Sequence, residues 1–271
     1  MIKAIFCDLD GTLLGKDLGL SAENSEAISA LAERGVELIP TTGRDLFEIP
    51  ESVREHAAVR RFICSNGAGY YNLTSGESRH MSIPRESASL ILRAASEMSL
   101  VPVIHSVDGR AYFDRSKHSL EVMRDHRLSE YFCRFFMDNA FCIDDIYGHF
   151  SDGVGINSIC LFFKYREELE RLAALLDRLG VGYTHSTEGE LEIFNAAAGK
   201  GNAVLDTAGR LGLSLDEILV VGDSANDLSM FSVAENSLAV ANASPRLKER
   251  ARYLGCDNDE HIVKYILENL V

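Results

Sequence analysis

An α/β fold, with a parallel-sheet core interrupted by an α+β module, is what this sequence predicts. Three observations carry that expectation. The first third alternates strand-like apolar runs with helical spacing, the last third repeats the rhythm, and the stretch between follows a different one. Residues 3–8 form the first strand, whose apolar run Ala4-Ile5-Phe6-Cys7 leads through Asp8-Leu9-Asp10 to the turn residue Gly11. Ser21 is placed as an N-cap, Ala27, Ile28 and Leu31 follow at helical spacing, and Gly35 stops the helix. Residues 36–40 give a second strand ending in Thr41-Thr42-Gly43-Arg44, and residues 61–64 a third ending in Ser65-Asn66-Gly67-Ala68-Gly69. Such a βαβαβ order implies right-handed crossovers and a crevice at the strand ends.

In the last third, residues 191–194 read as a short strand and 200–211 as a helix with Ala203, Val204, Leu205, Ala208 and Leu211 apolar. Residues 217–221 make a strand ending in Gly222-Asp223, and 226–234 are helical. A strand over 237–240, a helix over 245–252 with Pro245 in its first turn, a short strand at 253–254 and a helix over 260–270 close the chain. The middle reads otherwise. A helix follows Pro84, residues 101–105 and 111–113 alternate around Asp108-Gly109 as a hairpin, and 158–163 form another strand. An amphipathic helix spans 166–179 and a last strand 183–186. The predicted organisation is a core of residues 1–82 and 190–271 with an inserted α+β module over 83–189.

Composition narrows the partners. A chain of 271 residues with 46% hydrophobic and 25% charged residues has the make-up of an ordinary globular protein. Its net charge of −14 argues against nucleic acid or an anionic membrane as the main partner, yet allows a small anion in a local basic pocket. No apolar run approaches the ~20 residues of a spanning helix, and Asp8 and Asp10 interrupt the only early apolar stretch, so no secretory signal is expected. Cys7, Cys64, Cys133, Cys142, Cys160 and Cys256 form no CxxC pair and show no zinc spacing with histidine. Reduced thiols in the cytoplasm are the simplest reading.

The chemistry sits at strand ends. Asp8 and Asp10 close the first strand, and a buried charge is costly unless paired or metal-bound. With Leu9 pointing away in an extended chain, the two carboxylates fall on one side. The plain alternative is an Asp-Gly turn with both carboxylates in water. A second acidic cluster, Gly222-Asp223-Ser224-Ala225-Asn226-Asp227, ends a strand expected in the same sheet, or else is a turn with Asp as a cap. If the clusters converge, a hard divalent cation with oxygen ligands fits, Mg2+ best where waters and a phosphate share its shell. Thr42 offers a hydroxyl, Gly43 a close backbone approach, and Lys200 a cation at a helix start, unless it is simply a solvated lysine. Together these are the parts needed to cleave a phosphate ester, among the slowest uncatalysed reactions.

These motifs in this order resemble the haloacid dehalogenase superfamily, and more narrowly its Cof-type sugar-phosphate phosphatases. The resemblance rests on Asp8-Leu9-Asp10-Gly11-Thr12-Leu13-Leu14, Thr42-Gly43-Arg44, Ser65-Asn66-Gly67-Ala68, Lys200-Gly201, the stretch from Gly222 to Met230, and Val240-Ala241-Asn242-Ala243. It implies a Rossmann-like parallel-sheet core with an inserted, mobile α+β cap that closes over the site and sets substrate specificity. Asp8 would be the nucleophile and a Mg2+ ligand, and Asp10 the general acid/base with its backbone carbonyl on the metal. Asp223 would be a further ligand and Asp227 an outer one. Thr42 and Lys200 would hold the transferred phosphate, with Asn226 nearby. Arg44 and Asn66 border the substrate crevice, although Arg44 serves equally as a structural ion pair, and Asn242 lines the phosphate pocket or shapes a turn. In the cap, His105, Asp108, Arg110, His185, Thr187 and Glu190 are candidate substrate contacts. Where the family has Asp-Gly-Val before the last helix, this chain has Asp259-Glu260-His261-Ile262-Val263.

The implied activity is a Mg2+-dependent phosphatase of small phosphorylated metabolites, acting as a monomer or homodimer. A phosphomutase or phosphotransferase is the enzymatic alternative. A noncatalytic phosphometabolite-binding regulator would be marked by loss of Asp8, Asp10 or Lys200, and all three are present.

Overall fold

The computed structural model describes residues 1–184 and 189–271, in two compact units. One comprises Met1–Arg79 and Gly199–Val271, the other His80–Ala198. In the first unit, strand β1 (Ala4–Cys7) lies between β2 (Glu37–Pro40) and β12 (Ile218–Gly222), followed by β13 (Asn236–Ala239) and β14 (Tyr253–Leu254). All pairs in this sheet are parallel, with Phe6 opposite both Ile39 and Val220. Every residue of β1 is buried, as expected for a central strand covered on both faces. Full burial of side chains such as Ile5 and Phe6 contributes about 1.5–3 kcal/mol each. Helices Ala22–Glu33, Lys200–Arg210 and Ile262–Asn269 present Ile28, Leu31, Val204, Ala208, Val263 and Ile266 to this core. Ser21 caps the first of them by accepting from Asn24 N–H, and Gly35 (φ 76°) lies just beyond its end.

The strand Arg61–Cys64 (β3) departs from the expected continuation of the parallel sheet. It meets β2 through a parallel bridge from Ile63 to Thr41 and the Arg61–Glu37 ion pair, but its ladder is antiparallel, with β4 (Gly69–Asn72), beyond which lies β5 (Glu77–His80). The reason is local. Ser65, Asn66 and Gly67 have φ of 48°, 48° and 94°, and this left-handed run turns the chain back on itself.

The second unit holds a six-stranded sheet in the order β10 (Gly182–Thr184), β11 (Glu190–Phe194), β9 (Ile156–Phe163), β6 (Leu100–Ser106), β7 (Ala111–Asp114), β8 (Phe141–Ile143). Its pairs are antiparallel except β7 with β8. The hairpin around Asp108-Gly109 is present, with Gly109 at φ 80°. The strand expected from residue 191 belongs to this sheet, paired with β9, and not to the parallel core. Residues 185 and 186 of the expected last strand lie outside the described residues. Leu100, Ile104, Ile159, Leu161, Leu191 and Ile193 pack with helices Arg85–Ala95 and Arg166–Leu179. Val101, Val103, Phe113, Cys160 and Phe162 form a second apolar layer with Met123, Leu128, Cys133 and Phe136. Helices Leu120–Asp125, Glu130–Asn139 and Ile146–His149 have no counterpart in the sequence reading. Among the described residues no helix is long and apolar enough to cross a membrane, and all six cysteines are free thiols.

Candidate active site

Asp8 leaves β1 at the carboxyl edge of the parallel sheet, its N–H donating to Val221 O at 2.9 Å. Its buried carboxylate accepts a hydrogen bond from Lys200 Nζ at 2.7 Å. Lys200 opens the helix Lys200–Arg210, is itself buried, and gives a second bond of 2.7 Å to Asp227 Oδ1. The other Asp227 oxygen accepts from Asp223 N–H (2.9 Å) and Ser224 N–H (3.1 Å). Asp223 Oδ1 accepts from the Thr12 hydroxyl at 3.4 Å. Asp8, Asp223 and Asp227 each bring a carboxylate oxygen within 4.8 Å of the others.

Three carboxylates thus surround one ammonium, an excess of two negative charges when all are ionised. Burial pushes the Asp8 carboxyl well above its usual range; Lys200 pulls it back, and Asp227 and Asp223 push it up again. Asp223 is pushed up to about 6 by burial and by the Asp227 charge. Burial alone would depress the Lys200 ammonium, but the Asp227 and Asp8 carboxylates outweigh it and hold its pKa above the ordinary lysine value. A hard divalent cation answers this arrangement, because the donors are all oxygens and the uncompensated charge is two. Both Asp227 oxygens are already committed, to Lys200 and to two main-chain N–H groups, so Asp8 and Asp223 are the side chains suited to direct ligation.

Asp10 stands apart from this cluster. The chain leaves its extended course after β1, and Asp10 (φ −73°, ψ 123°) and Gly11 (φ 72°, ψ 3°) take the two central positions of a type II turn. The Asp10 carboxylate is held by Arg44 through Nε at 2.8 Å and Nη2 at 2.6 Å, so the one-sided placement argued for an extended chain does not apply here. The Arg44 guanidinium, ion-paired with Asp10, also donates to the main-chain Glu48 O at 2.8 Å. The two aspartates differ in access: the Asp10 side chain is 40% exposed and that of Asp8 only 6%.

The Thr42 hydroxyl is buried and accepts from Arg44 N–H at 3.1 Å. Asn66 N–H donates to Thr42 O, its side chain lies against Gly43, and its Oδ1 accepts from Asn226 Nδ2 at 3.2 Å. Thr42, Gly43, Asn66 and Asn226 are thereby linked through Asn66. Gly67 (φ 94°) closes the left-handed run against the start of the Lys200 helix, where an added Cβ would sit 2.5 Å from Gly199 O. Gly67→Ala is expected to destabilise the fold by about 1–3 kcal/mol, a strain cost of that kind. Urea unfolding measures it, and a midpoint equal to that of the parent would refute it.

The model of the haloacid dehalogenase-like hydrolases matches residues 5–267. The chain belongs to this family. The 5-amino-6-(5-phospho-D-ribitylamino)uracil phosphatase YwtE of Bacillus subtilis is 27% identical over 285 residues, covering 100% of this chain and 98% of that protein. An HMP-PP phosphatase of Klebsiella pneumoniae is 24% identical over 278 residues, covering 99% and 97%. The solved structure of a haloacid dehalogenase-like hydrolase from B. subtilis superimposes with a TM-score of 0.82 at 26% identity, each chain covered completely.

In this haloacid dehalogenase-like hydrolase the remaining candidates divide. Asn242 Nδ2 donates to Gly11 O at 2.7 Å. In the second unit His105 is buried with Nδ1 2.8 Å from Ser158 Oγ, and Glu190 is buried on β11. Asp108 and Arg110 bond each other within the hairpin turn, and Asp108 also accepts from Tyr112 OH at 2.7 Å. His185 and Thr187 lie outside the described residues. The sequence assigns no individual role to Thr12, which stands in the Asp8–Leu14 motif, or to Asn24 and Asn258. Thr12 donates to Asp223 Oδ1, Asn24 to Leu13 O and Asn258 to Leu14 O, bonds that arise only in the folded chain.

Proposed function

We propose that this chain is a Mg2+-dependent phosphatase of small phosphorylated metabolites, sugar phosphates in particular, working through a phosphoryl group carried on Asp8. The observation that carries the reading is the buried Asp8–Lys200–Asp227 chain with Asp223 beside it. YwtE, by its name, acts on a phosphorylated ribityl compound, which supports a phosphorylated polyol or sugar as the substrate class. The six free thiols accord with a cytoplasmic setting.

The reaction is two displacements. An Asp8 oxygen attacks phosphorus, the bond to the ester oxygen breaks, and that oxygen leaves with a proton from Asp10. Asp10 then takes a proton from water, whose oxygen attacks the same phosphorus and frees Asp8 and inorganic phosphate. The burial difference fits the division of roles: the enclosed Asp8 is shielded from bulk water, while the more exposed Asp10 can exchange protons. Lys200, Thr42 and Asn226 are assigned to the transferred phosphoryl group, and Gly43, Arg44 and Asn66 to the substrate side. Asp8, the Asp10 main-chain carbonyl and Asp223 would hold Mg2+, with Asp227 fixing Lys200 and the Asp223 backbone behind them. When bound, Mg2+ supplies positive charge against the phosphoryl oxygens. Selection among esters is assigned to the inserted unit.

Phosphate release from sugar phosphates, phosphorylated polyols, nucleotides and pyridoxal phosphate, with no added acceptor, tests the reading. Release is expected with Mg2+ and is expected to fall at least about 100-fold on chelation, since Lewis-acid stabilisation amounts to several kcal/mol. Equal rates after chelation would sink the metal role, and a new phosphate ester on an added sugar acceptor in place of free phosphate would point to a transferase.

A further inference from the structure

Three asparagines reach the segment from Gly11 to Leu14 from outside it, and each gives its carboxamide N–H to a main-chain carbonyl. Asn242 Nδ2 donates to Gly11 O at 2.7 Å, Asn24 Nδ2 to Leu13 O at 3.3 Å, and Asn258 Nδ2 to Leu14 O at 2.8 Å. The acceptor ends are used as well. Asn242 Oδ1 accepts from Asn258 N–H at 3.1 Å, and Asn24 Oδ1 accepts from Val263 N–H at 2.9 Å. The donors come from the helix Ala22–Glu33, the loop after β13 and the segment Asn258–Glu260. Only a carboxamide combines a donor and an acceptor in one short planar group, and an Asp at the same place keeps the acceptor but loses the donor.

Just before the first carbonyl so held lies a peptide with two orientations open to it. Type I and type II turns differ in the direction of their central peptide, here Asp10–Gly11. Reversing that peptide reverses the Asp10 carbonyl, the group assigned to the cation. Gly11 adopts the positive φ that type II requires, and an added Cβ there would lie 2.7 Å from Asp223 Oδ2. The next carbonyl along, Gly11 O, is the one that Asn242 holds. Asn258, bonded both to Asn242 and to Leu14 O, braces the arrangement from behind.

We propose that Asn242 is a positioning residue for the cation site, anchoring Gly11 at its carbonyl so that the Asp10 carbonyl, one peptide back, is presented before a cation arrives. It acts through Gly11 O, with its side-chain nitrogen committed there. The inference rests on the assignment of Asp8, the Asp10 carbonyl and Asp223 to the cation. Outer residues that orient ligands change metal affinity by about 10–100-fold when removed.

The test uses the full metal-free chain and Mn2+ alone, with free Mn2+ counted by electron paramagnetic resonance. Asn242→Ala and Asn242→Asp are both expected to weaken Mn2+ binding about 10-fold or more. Asn242 is exposed, so the metal-free melting temperatures are expected to stay within about 4 °C of the parent, roughly the effect of 1 kcal/mol at this size. Asn242→Asp is the harsher test, because its added negative charge favours the cation while its lost donor does not. Unchanged Mn2+ binding in Asn242→Asp overturns the inference, whatever Asn242→Ala does. A parent chain that binds no Mn2+ overturns the cation assignment and the inference with it, whereas a parent that binds normally beside unaltered variants overturns the clamp alone.

Discussion

Asp8→Asn is expected to lower kcat for phosphate release by at least about 10⁴-fold, the scale seen when a nucleophile that acts as part of a unit is removed. The amide keeps the size and shape of the carboxylate but loses the charged oxygen that attacks phosphorus. Folding is expected to survive. Asp8 is 6% exposed and its carboxyl is already pushed up by burial, so a neutral amide relieves a desolvation cost. Lys200 keeps its bond to Asp227, so the ammonium remains compensated. The outcome to look for is therefore a melting temperature near that of the parent with turnover gone. A variant that keeps turnover within tenfold of the parent would remove Asp8 as nucleophile. Asp10→Asn separates the two aspartates: its loss should be greatest for esters with poor leaving groups, which need the proton, and smallest for activated aryl phosphates.

The parts of the site that could be read in the sequence are those whose meaning is local. A buried strand, a carboxylate at its end and a glycine turn are contiguous in residues 4–11, and the same grammar recurs at Gly222-Asp223. Lys200 was weaker evidence alone, since lysine is usually solvated, and only its burial between Asp8 and Asp227 shows why this one is not. Sheet membership was less legible. The run Arg61–Cys64 is as apolar as a parallel core strand, and its antiparallel pairing follows from positive φ at Ser65 and Asn66, which side chains rarely adopt and sequence does not announce. Glu190–Phe194 alternates acidic and apolar residues although its first four are all buried, and alternation does not say which sheet receives it. Asn24, Asn258 and Asn242 act on carbonyls of a segment that two of them are more than two hundred residues away from, so their roles exist only in the folded chain.

Lys200→Met is expected to cost about 3–5 kcal/mol of stability in the metal-free protein, the range for breaking a buried ion pair from one side. The methionine fills much of the same volume, so the loss is electrostatic and not a cavity effect. What remains is a set of three carboxylates within 4.8 Å of one another with no ammonium among them, two of them nearly shut off from water. Two responses are open to such a cluster: to take up protons or to bind a cation. Both can be measured. The destabilisation should shrink as pH falls, because protonated Asp8 and Asp223 carry no charge to repel, their carboxyls being already shifted upward with Lys200 present. It should shrink as well when Mg2+ is added at neutral pH, since a divalent ion restores the compensation that the ammonium gave, and the variant should gain more in melting temperature from Mg2+ than the parent does. Activity is not expected to return with it, because Mg2+ replaces the lost charge but not the donor that Lys200 offers a phosphoryl oxygen. A Lys200→Met protein as stable as the parent without metal would mean that Asp8 and Asp227 are solvated enough to stand alone, and the electrostatic argument for a cation between Asp8 and Asp223 would fail with it.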